Sequence, residues 1–351
     1  MSNRIFARSP FIININETGQ TSSKIEVFLW NSGSVPSSPQ YTLSKAIPST
    51  TNLKTLYNVS PLIREYIKFI NPSLNYNTVG DTVNNKAFCN VQIKRYKNES
   101  TLLDTTTYYG FDGYSEYTDG YNYDRGQYLL DEGTYYYYYD DSSTYINTKV
   151  GDITLEVTSG DKVKFTNLVS GVNSTFTFAS SGVKTVHRVN GTYWADGNKL
   201  EILNAANTVL RTYYFKPIEE CKYTPLPIDF VNKYGAWQRE WFFKASYDNI
   251  EIQNTEYNLM PDVLPSYSYR EGQTKTFNTN AKESIKVNTG WVNENFKATI
   301  QEIMLSERIL LNDFPVRCRT KNIEKFKSIN SKNINYTLEF DYNYNTLNNV
   351  L

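Results

Sequence analysis

The chain has 351 residues, 36 of them basic and 36 acidic, so its formal net charge is zero. That balance argues against nucleic-acid binding, which needs a concentrated basic surface to displace counterions, and the length suits two or three domains. Aromatic residues make up 15% and 30 residues are tyrosine; because Tyr, Thr, Val and Ile fit a pleated, half-buried surface, a mainly β protein is expected.

In chain order, strands come first. In FIININ, Phe11, Ile13 and Ile15 alternate with Ile12, Asn14 and Asn16, and in KIEVFLW, Ile25, Val27 and Leu29 share a face. A turn-rich NSGSVPSSPQ leads into YTLSK, the rhythm of a β-sandwich. SPLIREYIKFI (60–70) reads as a helix: Ser60 suits the cap, Pro61 the first turn, and Leu62, Tyr66 and Phe69 one face. FCNVQIKRY and TLLDTTTYYGF are further strands.

The character then shifts. Residues 104–141 hold nine acidic side chains and one basic, Arg125, a local charge of 1 − 9 = −8 that the rest of the chain must balance with +8. The segment contains a short tandem, DGYSEYT then DGYNYDR, in which each Asp-Gly suits a tight turn. It also contains GTYYYYYDDSSTYIN, with five consecutive tyrosines from Tyr135 to Tyr139. As a strand, this run points Tyr135, Tyr137 and Tyr139 one way and Tyr136 and Tyr138 the other, with Asp140 and Asp141 ending it, so both faces need cover.

From 150 to 215, ITLEV, KVKFT, STFTF, VKTVHRV, KLEIL and VLRTYYF alternate with turns, which suggests a compact antiparallel domain. PLPIDFVNKYGAWQREWFFKAS follows as two strands around an Asn-Lys-Tyr-Gly turn. In the second, Trp237, Arg239, Trp241 and Phe243 share a face, with Arg239 placed to stack on an aromatic ring. GWVNENFKATIQEIMLSERILLN holds the clearest helix, near 293–306, with Asn293 as cap and Phe296, Ile300, Ile303 and Met304 as its apolar stripe. INYTLEFDYNY is the clearest strand, with Ile334, Tyr336, Leu338, Phe340, Tyr342 and Tyr344 on one face. The architecture expected is a multi-domain antiparallel β-sandwich or barrel with a few short helices. Its domains are 1–148 (a sandwich with the Tyr/Asp-rich insertion), 149–216 (a small antiparallel domain) and 217–351 (a β-rich α+β domain).

Residues of catalytic or ligand-binding type are sparse. Cys89, Cys221 and Cys318 form no CxxC pair, so buried free thiols are expected rather than a disulfide framework or a zinc site. The single histidine, His187, makes a poor metal site and leaves catalysis by paired carboxylates open, but no recognisable site is present. Asp112, Asp119 and Asp124 lack calcium-loop spacing. Glu219 and Glu220 are adjacent and point to opposite faces of a strand, and Ser142, Ser143 and Thr144 read as a loop. Dinucleotide, P-loop, HExxH and GxSxG motifs are missing. No catalytic residue, cofactor or metal is expected. The N-terminus lacks the apolar core of a signal peptide, and no run of about 18 apolar residues occurs. Synthesis in a cytoplasm without membrane insertion is expected, under which the sequons at Asn98 and Asn173 carry no glycan.

What remains are aromatic surfaces. Tyr114, Tyr117, Tyr121, Tyr135, Tyr137, Tyr139, Trp237 and Trp241 are candidates for a subunit interface or for glycan binding. Their rings can stack on sugars or, alternatively, pair across strands and fill an interface.

The landmarks RSPFIININ, KIEVFLWNSG, YNVSPLIREYI, GFDGYSEYTDGYN, IDFVNKYGAWQREWFFKAS, TGWVNENFKATIQEIMLSERILL and INYTLEFDYNYNTLNN span nearly the whole chain. Their order resembles a group of virion structural proteins of tailed phages infecting Bacteroidetes. The resemblance implies a bacteriophage structural protein of the viral tail, baseplate or neck, with no catalytic residues to carry over. Its partners would be copies of itself and other tail proteins, and host attachment through a surface glycan is the alternative. Here GFDGYSEYTDGYN is richer in tyrosine than that group leads one to expect, and the middle β region reads as an insertion. Edge strands pair readily with another chain, and the −8 segment against +8 elsewhere suits unlike surfaces meeting in a ring.

Overall fold

A computed structural model describes residues 4–47, 49–68, 88–139, 150–259, 270, 272–324 and 334–348. It is mainly β, 54% strand against 8% helical, with two α-helices and several sheets among the described residues. The chain divides into two compact units, residues 1–219 with 229–240, and residues 220–228 with 241–351.

The first unit opens with a five-stranded sheet ordered β1-β7-β6-β3-β4, from β1 (Arg4–Phe6), β3 (Ser22–Trp30), β4 (Tyr41–Ala46), β6 (Phe88–Lys97) and β7 (Thr101–Phe111). Alternation decides its inner face: Ile25, Val27 and Leu29 of β3 and Val91 and Ile93 of β6 are almost wholly buried. They form one cluster with Ile13 and Ile15 of β2 (Ile12–Ile15), Tyr57 of β5 (Thr55–Asn58) and Ile63 of α1 (Ser60–Tyr66).

Helix α1 departs from the sequence reading. Val59 is its N-cap and no side chain caps it. Ser60 faces inward, where its hydroxyl accepts from the Phe11 amide (2.8 Å) and donates to the Ser9 carbonyl (2.6 Å), clamping the chain before β2. The deepest side chains near the helix are Ile63 and Ile67, while Leu62 and Tyr66 lie at the margin of the core. Phe69 lies outside the described residues.

A second five-stranded sheet follows in order β11-β10-β13-β14-β8. Its strands are β8 (Gly133–Tyr139), β10 (Lys162–Asn167), β11 (Asn173–Thr177), β13 (Asn198–Leu203) and β14 (Val209–Glu219). The pair β9 (Asp152–Val157) and β12 (Gly182–His187) stands apart as an antiparallel ribbon. Strand β8 runs parallel to β14, with Tyr135 opposite Phe215 and Tyr139 opposite Glu219. The tyrosine run therefore builds the edge of the sheet formed by the middle segment. Asp140, Asp141 and the loop after them lie outside the described residues.

Strands β15 (Leu226–Val231) and β16 (Trp237–Phe242) flank the expected turn, where Gly235 takes a φ of +79°. A Cβ there would sit 2.5 Å from the Gly113 nitrogen, and one on Gly113 would meet the Lys233 carbonyl at 2.6 Å. The two turns touch backbone to backbone, so Gly113 serves close approach rather than a positive φ.

Strands lying wholly within the second unit run β19-β20-β21-β18-β17, from β17 (Tyr247–Asn258), β18 (Thr274–Val292), β19 (Ile309–Leu311), β20 (Phe314–Cys318) and β21 (Ile334–Asn345). Helix α2 (Phe296–Leu305) buries Ile300 and Ile303, and the Asn293 side chain accepts from its first amide at 3.2 Å. Strand β21 follows its alternation: Ile334, Tyr336, Leu338 and Phe340 are buried, and then on the same face Tyr342 is half-buried and Tyr344 exposed. Alternation in the sequence does not signal β17 or β18, because every residue of β17 and residues 274–279 of β18 are exposed and no period-2 apolar pattern arises there.

Leu338 is wholly buried and Tyr344 is exposed. Leu338→Ala is therefore expected to cost about 2–5 kcal/mol, and Tyr344→Ala about 1 kcal/mol or less. Equal losses in urea titrations of the two variants would contradict this placement of the core boundary.

Candidate functional site: the tyrosine-bearing segment

Residues 112–131 form no strand, and an irregular backbone needs side chains to hold it. The acidic residues supply that hold. Asp112 pairs with Arg64 (3.0 Å), Asp119 with Arg125 (3.2 Å), Asp124 with Arg4 (2.9 Å), Asp131 with Lys233, and the adjoining Glu132 with Arg211 (2.9 Å); before the segment, Asp104 of β7 pairs across the ladder with Arg95 of β6 (Nε–Oδ1 2.8 Å). All of these partners except Arg125 come from elsewhere in the same unit. The local charge of −8 is thus met largely inside the unit, which corrects the expectation that it marks a surface awaiting an unlike one.

Neutral contacts complete the clamp. The Asn122 carboxamide pairs with the backbone of Ile12, accepting from its amide (2.5 Å) and donating to its carbonyl (2.9 Å). Asn122 itself adopts a φ of +59°, a conformation asparagine tolerates. Arg125 Nε donates to the Tyr114 carbonyl at 2.6 Å, and the Tyr114 amide donates to the Lys233 carbonyl at 2.8 Å. A capping box between Glu116 and Asp119 closes a single 3-10 turn, Tyr117–Asp119.

This framework fixes each candidate aromatic. Tyr114 is half-buried, with the Arg8 guanidinium 5.0 Å from its ring centre. Tyr117 is fully exposed and Tyr121 largely so; Tyr123, which the sequence reading did not single out, is exposed beside them with Arg125 over its ring. The site therefore presents Tyr117, Tyr121 and Tyr123 on a tethered loop. Trp237 is half-buried in the first unit. Trp241 is buried in the second, 6.4 Å from the Phe243 ring.

The β8 tyrosines face inward as the alternation requires. Tyr135 stacks on Phe215 (5.6 Å), Tyr137 on Trp194 (5.1 Å), and Tyr139 meets Trp194 edge-on (5.8 Å). Tyr137 is 2% exposed and its hydroxyl donates to the Trp194 carbonyl at 2.7 Å. Burial pushes the Tyr135 and Tyr137 phenols well above the usual range, so both stay neutral donors. Tyr136, on the outer face, is exposed.

Elsewhere, His187 is buried with Nδ1 2.8 Å from Asp152 Oδ1. Arg239 makes a two-pronged pair with Asp229 (2.8 and 2.5 Å). It is Arg188 that lies over the aromatic rings of Tyr135 and Phe215. Among the described residues no group of three His, Cys, Asp or Glu side chains is placed to hold a metal ion, and no helix is long and apolar enough to cross a membrane.

Tyr137→Phe strands a buried carbonyl and is expected to cost about 1–3 kcal/mol, whereas Tyr136→Phe should stay within about 0.5 kcal/mol; equal effects in thermal unfolding would refute the inward facing of Tyr137. Burial raises the Asp131 carboxyl, but hydrogen bonds from Lys233 and Tyr234 outweigh it and hold the group below its usual value. Asp131 then stabilises the fold above the ordinary carboxylate range, and that contribution fades as pH falls through it. Asp131→Asn should flatten the loss of stability below about pH 4; an unchanged acid limb would show that the Asp131–Lys233 contact carries none of it.

No protein-family model, no curated protein and no solved structure matches this chain.

Proposed function

We propose that the chain is a non-enzymatic structural subunit of a tailed-phage virion, in the tail, baseplate or neck, made in the host cytoplasm and assembling with copies of itself and with other tail proteins into a ring. The virion assignment rests on the order of sequence landmarks spread along the chain. One structural observation supports assembly. The second unit's sheet carries exposed apolar side chains past its own core: Ile250 and Ile252 of β17 are 61% and 67% exposed, and exposed Phe314 and Tyr344 form a ring cluster with half-buried Tyr342, centroids 5.4 to 6.3 Å apart, on a face that also bears the carboxylates Asp248 and Glu283. Register places these side chains on the pleat face of Ile285 and Phe340, which are buried: Asp248 opposes Ile285, Ile250 opposes Glu283, and Tyr342 opposes Val316. Exposed apolar and aromatic side chains with a polar surround are the composition of association sites.

A second reading, a receptor- or glycan-binding tail module, is favoured by the exposed Tyr117, Tyr121 and Tyr123 on their tethered loop. Rings held in place lose little entropy on stacking against a ligand.

Mass spectrometry of purified virions should detect the chain in stoichiometric amounts, and negative-stain images of the purified protein should show closed particles. Absence from virions would sink the structural reading. A glycan array on which wild type and a Tyr117→Ala/Tyr121→Ala variant bind equally, or not at all, would end the second.

A further inference from the structure

Among the described residues strand β17 has one hydrogen-bonded neighbour, β18, and ends the sheet order, so along its twelve residues a row of backbone groups faces outward. Natural sheets blunt such edges with bulges, prolines or lysines. The irregularity in this ribbon lies on the other strand. Gln253 opposes Asn280 and Thr255 opposes Phe277, so Asn254 alone spans Asn278 and Thr279, and Asn278 takes the positive φ of +51°. Strand β17 stays regular and carries no proline or lysine. Its charges are three carboxylates, Asp248, Glu251 and Glu256.

Those carboxylates select the partner. Directly opposed residues of an antiparallel pair point to the same face, so a strand pairing with its own copy about a two-fold axis must set one residue against itself. Centring on Glu251 sets two carboxylates together, and centring on Ile252 sets Asp248 against Glu256. Centring on Gln253 sets Glu251 against Thr255, Glu256 against Ile250 and Asp248 against Asn258. No like charges then oppose one another while Asp248 through Asn258 all find partners. Asn249 falls opposite Tyr257, whose ring is already fixed edge-on to Phe277 at 5.4 Å.

We infer that β17 pairs antiparallel with β17 of a second copy of this chain, about a two-fold axis at Gln253, joining the two sheets into one. The contact specifies the self-association part of the reading above and does not depend on the virion part. It also supports the ribbon, since two strands exposed on both faces are marginal alone in water.

The test uses the full chain with Cys221→Ser, which removes the exposed thiol among the described residues. Opposed Cα atoms in such a pair lie about 4.5–5.5 Å apart, within disulfide reach. Gln253→Cys should therefore give a disulfide-linked dimer under mild oxidation, while Asn249→Cys, facing Tyr257, should not. In sedimentation velocity at low salt, Thr255→Glu, which sets a glutamate against Glu251 twice, should weaken the dimer about tenfold; adding Glu251→Lys should restore it. Circular dichroism confirms that each exposed-site variant is folded. Self-association unaltered by Thr255→Glu, or cross-linking at position 249 rather than 253, overturns the β17 contact and leaves homo-oligomerisation standing through another surface. A wild-type chain that stays monomeric through the micromolar range overturns both, and capture of a lysine-rich strand peptide by that monomer would assign the edge to a basic partner instead.

Discussion

The first unit is organised around a buried cation. Arg188 is 2% exposed and heads the fully buried side chains by size. Removing a guanidinium from water costs several kcal/mol unless its donors and its charge are answered. Here the answer is partial: Nη1 donates to the Arg239 carbonyl (2.6 Å) and Nε to the Asp152 carbonyl (3.2 Å), the Tyr135 and Phe215 rings lie 5.3 and 5.8 Å from its central carbon, and the buried Nη2 has no hydrogen-bond partner among the described residues. Gly151 completes the enclosure: with a φ of +77°, its missing Cβ would fall 2.8 Å from the Arg239 Cβ. One side chain thus ties β9, β14, β16 and the tyrosine strand β8 to a common point, and the facing of the whole tyrosine run follows from where Tyr135 must sit.

The irregular segment before β8 obeys a different rule. Exposed ion pairs contribute little to stability individually, about 0–1 kcal/mol each, and several of these are half exposed. Their value here is positional. Arg4, Arg64, Arg211 and Lys233 fasten a chain that forms no strand of its own at successive points, and the Asn122–Ile12 pair and the Gly113–Gly235 approach fix it between them. The outcome is that Tyr117, Tyr121 and Tyr123 are exposed on a backbone with few alternatives, and exposed aromatics cost least to employ in recognition when they are already in place.

Sequence alternation revealed the half-buried strands and little else. Strands β3 and β21 were legible because one face of each meets a core, and the α2 stripe because Ile300 and Ile303 do. The 12 residues of β17 and residues 274–279 of β18 escape because a ribbon exposed on both faces carries no periodic signal, and the buried second half of β18 offers only Ile285 and Val287 as alternating apolar residues. Ser60 has the chemistry of a cap, yet its hydroxyl is used across the fold by Ser9 and Phe11, some 50 residues away. The same distance problem hid the parallel pairing of β8 with β14 and the partners of the acidic segment. Net charge over a window states how much must be balanced and is silent on whether the balance lies in the same molecule. Of the candidate aromatics, alternation anticipated the common facing of Tyr135, Tyr137 and Tyr139; Tyr123 had no signal beyond its membership in the tandem.

In the second unit, strand length and core length disagree. The apolar alternation of β21 continues to Tyr344, but burial ends at Phe340, and the same pleat face continues across β18 to the exposed Ile250 and Ile252. A strand that served only its own core would turn polar where cover stops, since apolar side chains held in water contribute nothing to the fold and invite aggregation. Here the pattern persists past the cover, Phe314 joins Tyr342 and Tyr344 in a formed ring cluster, and the outermost strand stays regular while its neighbour absorbs the bulge. Side chains and backbone therefore support the proposed association by separate routes: both continue past the cover that the described residues supply.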